Sequence, residues 1–270
     1  MAGAQRVIVT RPQPDAAQWV QALGQRDIAA AALPLIAIGP SPQPVHQAQL
    51  QTALAQLAQY RAVMFVSGNA AHYFLEQKNA LTLMQQALAA TNLRAWTPGP
   101  GTAQVLLARG LEQARIDGPA PDAAQYDSEA LWAQVATQIT PGARVLIVRG
   151  CQAGQGDASG QGRDWLAAQL RAAGATVDFA IAYQRSAPVF SPEQQALAHA
   201  AASDGSLWLF SSSEAVTHLQ QALPTQNWAR AQALATHPRI AQAVRAAGFG
   251  LLHECKPAFT DVVASIESAL

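Results

Sequence analysis

The chain has 270 residues, half of them hydrophobic and 13% charged, and Lys+Arg and Asp+Glu both total 17 for a formal net charge of zero. Such a length buries one large core or two ordinary ones. Without a basic excess the chain does not read as a nucleic-acid protein, and any anionic ligand must be held by local donors rather than by a global field.

Residues 1–6 lack the apolar core of a secretory signal, and Cys151 and Cys255 form neither a metal-spaced pair nor a disulfide framework; a cytoplasmic location is expected. Val7–Thr10 is a short apolar run ended by Arg11 and Pro12, and a helical pattern follows over 16–23, stopped near Gly24. An extended run covers 29–38. With Ile28 it makes the longest apolar stretch, 11 residues interrupted by Pro34, too short to span a bilayer. A helix is expected around 47–57 and a strand over 62–66. This strand–helix–strand rhythm predicts an α/β fold with mostly parallel sheets.

The second half of the chain echoes the first. Arg6–Pro12 returns as Arg144–Gly150, each followed by an amphipathic helix, a glycine stop (Gly24, Gly174) and a second strand. Ala62–Ala70 returns as Leu207–Ala215. Ala95–Ala103, with its helix ending at Gly110, returns as Leu234–Ala241, ending at Gly248. The three offsets lie between 138 and 145 residues, and segments in one order at nearly one offset indicate two similar α/β units. Alanine-rich composition alone would not reproduce the polar or Gly/Pro turn that ends each segment.

In parallel sheets ligands sit beyond the carboxyl ends of the strands, where these turns lie. Each turn leads into a helix whose first N–H groups lack internal partners and whose dipole is positive at that end. Ser67, Asn69, Thr102 and Ser213 carry side chains of the N-cap type. Capping explains each of them singly; as a set around one cleft they suit a ligand with several carboxylates or phosphates. The candidate contacts are Thr10, Arg11, Ser67, Gly68, Asn69, Gly101, Thr102, Ser212 and Ser213. Arg149 and Arg163 flank the glycine-rich stretch Gly150–Gly162, read as a mobile loop, and are either carboxylate clamps or helix-end ion pairs.

Nucleotide motifs are missing: Pro98–Gly101 matches no phosphate-binding fingerprint, and Pro100 removes a backbone donor. None of the six histidines pairs at ligand spacing, so neither a metal nor any other cofactor is expected. His72 and His218 read as helix-surface residues, and His237 as a residue of a turn facing the cleft.

Taken together, Val7–Pro12, Leu33–Ile38, Phe65–Ala70, Gly101–Ala103, Arg149–Gly150 and Ala182–Ser186 resemble the uroporphyrinogen-III synthases over almost the whole chain. No single motif is specific; the series at these spacings is. The resemblance implies two similar parallel-sheet α/β lobes with a ligand cleft between them. One lobe is discontinuous, about 1–36 plus 187–270, and the other is about 40–180. A two-stranded antiparallel linker, about 35–39 and 181–186, joins lobes that move relative to each other. Prolines at 34, 40, 42, 44 and 188 suit those boundaries.

The reaction implied is a lyase reaction of heme and tetrapyrrole biosynthesis, the dehydrative cyclisation of hydroxymethylbilane to uroporphyrinogen III with inversion of ring D through a spirocyclic pyrrolenine. The substrate carries eight carboxylates, and its unaided closure to isomer I puts the catalytic weight on holding a folded geometry. Tyr183 matches the family tyrosine considered as the acid that helps the hydroxyl leave, although a phenol is a weak acid at neutral pH. Thr102 and Ser212 match a family threonine and serine turn. At His237–Arg239 this chain departs from Gly-Pro-Thr-like residues, which leaves the contact made by Arg239 specific to it. The resemblance further implies a monomer without cofactor that receives its substrate from the preceding enzyme of the pathway, with no membrane or nucleic-acid partner. The rival reading is a non-enzymatic two-lobed protein that binds or senses a small anion.

Overall fold

The structure is a computed structural model that describes residues 6–120, 123, 125–154 and 163–269. Contacts divide the chain into two units, Met1–Ile38 with Ser186–Leu270 and Gly39–Arg185. Both divisions fall in extended segments of the chain.

The chain opens with β1 (Val7–Val9), α1 (Asp15–Gly24) and β2 (Ala30–Ala32), then β3 (Ala37–Gly39) at the boundary. The expected continuous run over 29–38 is thus broken in two around Pro34, whose ring removes a ladder donor. The second unit follows with α2 (Pro44–Ala55), β4 (Ala62–Phe65), α3 (Gly68–Leu75), α4 (Ala80–Ala90), β5 (Arg94–Trp96), α5 (Pro100–Ala108) and β6 (Ile116–Asp117). It closes with α6 (Ser128–Val135), β7 (Arg144–Gln152), α7 (Arg163–Ala172) and β8 (Thr176–Ser186). The chain then completes the first unit with α8 (Pro192–Ala201), β9 (Leu207–Phe210), α9 (Ser213–Ala222), β10 (Gln232–Ala235), α10 (Pro238–Ala246), β11 (Leu251–Glu254) and α11 (Phe259–Ala269). Among the described residues no helix is long and apolar enough to cross a membrane.

Two sheets result, five-stranded β11-β10-β9-β1-β2 and six-stranded β3-β8-β7-β4-β5-β6. The pairs β1–β2, β1–β9, β9–β10 and β10–β11 are parallel, as are β4–β5, β4–β7, β5–β6 and β7–β8. The echoing strands occupy equivalent places: β2-β1-β9-β10-β11 in one unit answers β8-β7-β4-β5-β6 in the other. The same doubly wound sheet is therefore built twice from different cuts of the chain. In each, winding reverses at one point, between β1 and β9 or between β7 and β4, and that crevice is where such sheets take ligands.

Alternate strand residues face opposite sides, and helices cover both faces of the five-stranded sheet. Ile8, Trp208, Phe210 and Ala233 join Val216, Leu219 and Val244 on one side. Val7, Val9, Leu207, Leu209 and Leu234 join Leu23, Val262 and Ile266 on the other. Double coverage explains why these strands read as unbroken apolar runs rather than alternating ones. In the second unit Met64, Trp96, Val145 and Ile147 pack on Leu131, Leu166 and Leu170. The paired stops Gly110 and Gly248 take left-handed φ of +81° and +87°, as a helix C-terminus favours in glycine. Gly24 instead ends α1 from within, and Asp27 takes the left-handed turn with φ 59°.

Residues 181–186, expected as a linker strand, are the second half of β8, and through Arg185 they remain paired in parallel with β7. Gly150, expected to open a loop, lies inside β7, which continues to Gln152. The remainder of that stretch, 155–162, falls outside the described residues.

Candidate active site

Tyr183 sits on β8, two strands away from β4. Neighbouring strands are spaced about 4.8 Å apart, so a tyrosine reaches the far strand only by crossing the one between. It does so at Gly150: a β-carbon there would stand 2.3–2.7 Å from three atoms of the Tyr183 ring. A register shift between Arg149 and Gly150 pairs Gly150 with Tyr183 after Arg149 pairs with Ile181; one extra residue on β8 re-aims the side chain, as bulges do. The phenol, only 4% exposed, then meets Ser67 at the carboxyl end of β4, with 3.3 Å between the hydroxyl oxygens. It thus lies at the switch point of its sheet.

Ser67 is the N-cap of α3, and its Oγ accepts the Ala70 N–H at 3.2 Å. The Tyr183 oxygen therefore lies at the amino-terminal end of α3. Gly68 and Asn69 form the first turn of α3; Asn69 is not the cap. A β-carbon on Gly68 would meet Val105 Cγ2 at 3.2 Å, so the glycine permits α3 and α5 to approach.

The other seats differ from the N-cap assignments expected of the sequence. Helix α5 has Gly99 at its cap position and no side-chain cap, leaving the amides of Gly101 and Thr102 without that competitor. The Thr102 side chain is buried. Beside this helix start a cavity of about 270 Å³ is lined by Thr97, Gly99, Pro100, Gln104, Gly118 and Tyr126 among others. In the first unit Ser212, not Ser213, caps α9, its Oγ accepting the Glu214 N–H at 3.2 Å. His237 caps α10: its Nδ1 accepts the N–H of exposed Arg239 at 3.1 Å.

Thr10 is buried and its Oγ1 donates to the Leu209 carbonyl at 2.6 Å, so its hydroxyl fixes the turn rather than facing solvent. Arg11 lies with its guanidinium 4.2 Å from the Trp19 ring centre and 3.8 Å from Asp15, and its buried Nε has no hydrogen-bond partner among the described residues. Desolvation lowers its pKa and the Asp15 charge works against that; an arginine nonetheless stays charged at neutral pH. Arg149 is buried, 4.6 Å over the Phe179 ring. Arg163 begins α7, and its side chain is outside the described residues.

The family model for uroporphyrinogen-III synthase HemD matches residues 17–261. The chain belongs to the uroporphyrinogen-III synthase family. It is therefore a cyclising lyase of tetrapyrrole biosynthesis that acts on a small-molecule substrate. Two solved structures share its fold. Uroporphyrinogen-III synthetase from Helicobacter pylori is 13% identical, with 98% of this chain and 100% of that one covered at a TM-score of 0.60. A substituted uroporphyrinogen III synthase from Thermus thermophilus is 18% identical, with 98% of each chain covered at 0.52.

For a synthase of this family, two residues beside the candidate acid escaped the sequence. Tyr73 stacks on Tyr183 with ring centres 5.9 Å apart and 26° between planes, and no local signal links positions so far apart in the chain. Gly150 did carry a signal, since a glycine inside a strand marks a bulge or a close backbone approach. His218, expected on a helix surface, is buried and lies 2.7 Å from the Leu35 carbonyl through Nδ1. It satisfies an acceptor in the chain leading to β3. His72 is half-buried, 3.0 Å from Arg109 Nη2.

Proposed function

We propose that this synthase closes hydroxymethylbilane to uroporphyrinogen III, with Tyr183 as the acid that releases water. The family match over residues 17–261 carries the reading, and the buried phenol at the start of α3 supports the choice of acid. Tyr183 gives its proton to the hydroxyl, the C–O bond breaks with electrons supplied by the pyrrole, and water leaves. The substituted carbon of ring D attacks, forming the spirocyclic pyrrolenine, which rearranges with ring D inverted. The proton lost as the macrocycle forms returns to the phenolate.

The substrate carboxylates are taken by the amides of Gly68, Asn69, Gly101 and Thr102, by Ser212 and Ser213, and by Arg11, Arg149, Arg163 and Arg239, with Ser67 beside the acid. Thr10 contributes through the turn that it fixes. Because positioning supplies most of the acceleration, the enzyme works without a cofactor, as a cytoplasmic monomer supplied by the preceding enzyme of the pathway. Incubation with hydroxymethylbilane and chromatographic separation of isomers I and III tests the reading. Isomer III is expected; isomer I alone, at the uncatalysed rate, overturns it.

A further inference from the structure

We propose that Tyr73 is a positioning residue that holds the Tyr183 phenol in its working orientation, a role that rests on Tyr183 being the acid. Helix α3 buries Ala70, Ala71, Phe74 and Leu75, and Phe74 meets Phe65 of β4 edge-on at 5.5 Å. Tyr73 is not in that stripe. It is half-buried, and its ring stacks on Tyr183.

Ser67 and Tyr73 are separated by about 9 Å of helix, yet both reach Tyr183. Side chains on a helix lean back toward its N-terminus, which brings the Tyr73 ring alongside the phenol whose oxygen meets Ser67. One short helix thus grips the tyrosine twice, at the oxygen and along the ring, while Gly150 lies beneath. The helix is itself fastened from outside. Arg109, at the end of α5, pairs with Glu76 at 2.5 Å and lies against His72, and the His72 ring meets Tyr73 edge-on at 4.9 Å. Burial, then the charge of Glu76, push the Tyr73 phenol above its ordinary value; its ring is neutral at working pH and offers a face rather than a proton.

A side chain that only packed would change stability alone. Tyr73→Ala is expected to lower kcat for isomer III about 10–100-fold, the scale of a small misplacement at a reacting centre. KM should stay within about twofold, because only a transition-state interaction is lost, and the share of isomer I should rise. Tyr73→Phe, which keeps the ring, should restore kcat to within about twofold of wild type. In a Tyr183→Phe background Tyr73→Ala should cost little more, since two residues acting through one hydroxyl are not additive.

Protein labelled with 13C at the tyrosine ζ-carbon gives a readout independent of turnover. The Tyr183 signal, assigned by its loss in Tyr183→Phe, should shift in Tyr73→Ala and hold in Tyr73→Phe. An unmoved signal, full additivity with Tyr183→Phe, or a raised KM at unchanged kcat overturns the positioning role. Wild-type protein that forms no isomer III overturns the reaction instead, so the two failures are told apart.

Discussion

The ring of Tyr183 covers the backbone of Gly150 so closely that a β-carbon on residue 150 would stand 2.3 Å from the phenol ζ-carbon. The tyrosine crosses β7 only because no side chain stands there. Gly150→Ala must displace the ring, since the atoms it meets belong to Tyr183 itself. We expect a stability loss of about 1–3 kcal/mol, typical of overpacking. We also expect a fall in isomer III formation out of proportion to that loss. Denaturant melts and the isomer assay on the same preparation check both; wild-type turnover in a folded Gly150→Ala protein would show that the crossing is irrelevant to catalysis.

Tyr183→Phe keeps the ring over Gly150 and removes the hydroxyl that meets Ser67. General acids typically contribute about 10²–10⁴-fold, and the reactivity of this substrate places the expected loss at the bottom of that range or below. Substrate affinity should hold, because the proposed binding is spread over many carboxylate contacts. Steady-state kinetics decide the matter: unchanged kcat would make Tyr183 a structural residue of β8.

Ser67→Ala removes two contacts at once, the cap on Ala70 and the partner of Tyr183. Loss of a serine cap costs about 1 kcal/mol. Ser67→Gly costs only a few tenths by the same measure but equally lacks the hydroxyl. Both variants should therefore lose turnover alike while differing in melting temperature. Turnover that follows stability instead would assign Ser67 to capping alone.

At the opposite, amino-terminal end of the second sheet, Tyr60 donates to Asp178 Oδ2 at 2.9 Å, and Arg144 lies 4.8 Å over its ring. Burial first, then the hydrogen bond to Asp178 and the charge of that carboxylate, push the phenol up to about 12 against the opposing Arg144. A free phenol titrates near 10. The raised folded value means that this group stabilises the fold fully below about pH 10 and loses that contribution as pH rises toward about 12. Spectrophotometric titration should find a late transition, near about 12, that disappears in Tyr60→Phe and moves down in Asp178→Asn.

Activity should survive exhaustive treatment with a chelator. The sequence has no metal-spaced ligand set, and among the described residues no three His, Cys, Asp or Glu side chains converge on one point. Loss of isomer III formation on chelation, with recovery on adding a divalent ion, would refute this.

The sequence by itself determined the alternation of strands and helices, because strands buried on both faces read as unbroken apolar runs. It also determined the doubling of the chain, because equivalent strands such as β4 and β9 need equivalent residues and end in equivalent turns. Ser67 as a cap was legible from residue type, and Tyr183 as the candidate acid came from the family resemblance. What only the tertiary structure decided is how those residues meet. Register and bulging are relations between strands: Gly150 marks a close approach within β7, but which side chain approaches is set by the extra residue on β8 that aims Tyr183 across it. The Tyr73–Tyr183 stack joins positions more than a hundred residues apart, beyond the reach of any periodicity, which reports neighbours within one element only. Likewise His218 looks like any polar helix residue until the carbonyl of Leu35, an acceptor distant in the chain, comes within 2.7 Å of its ring.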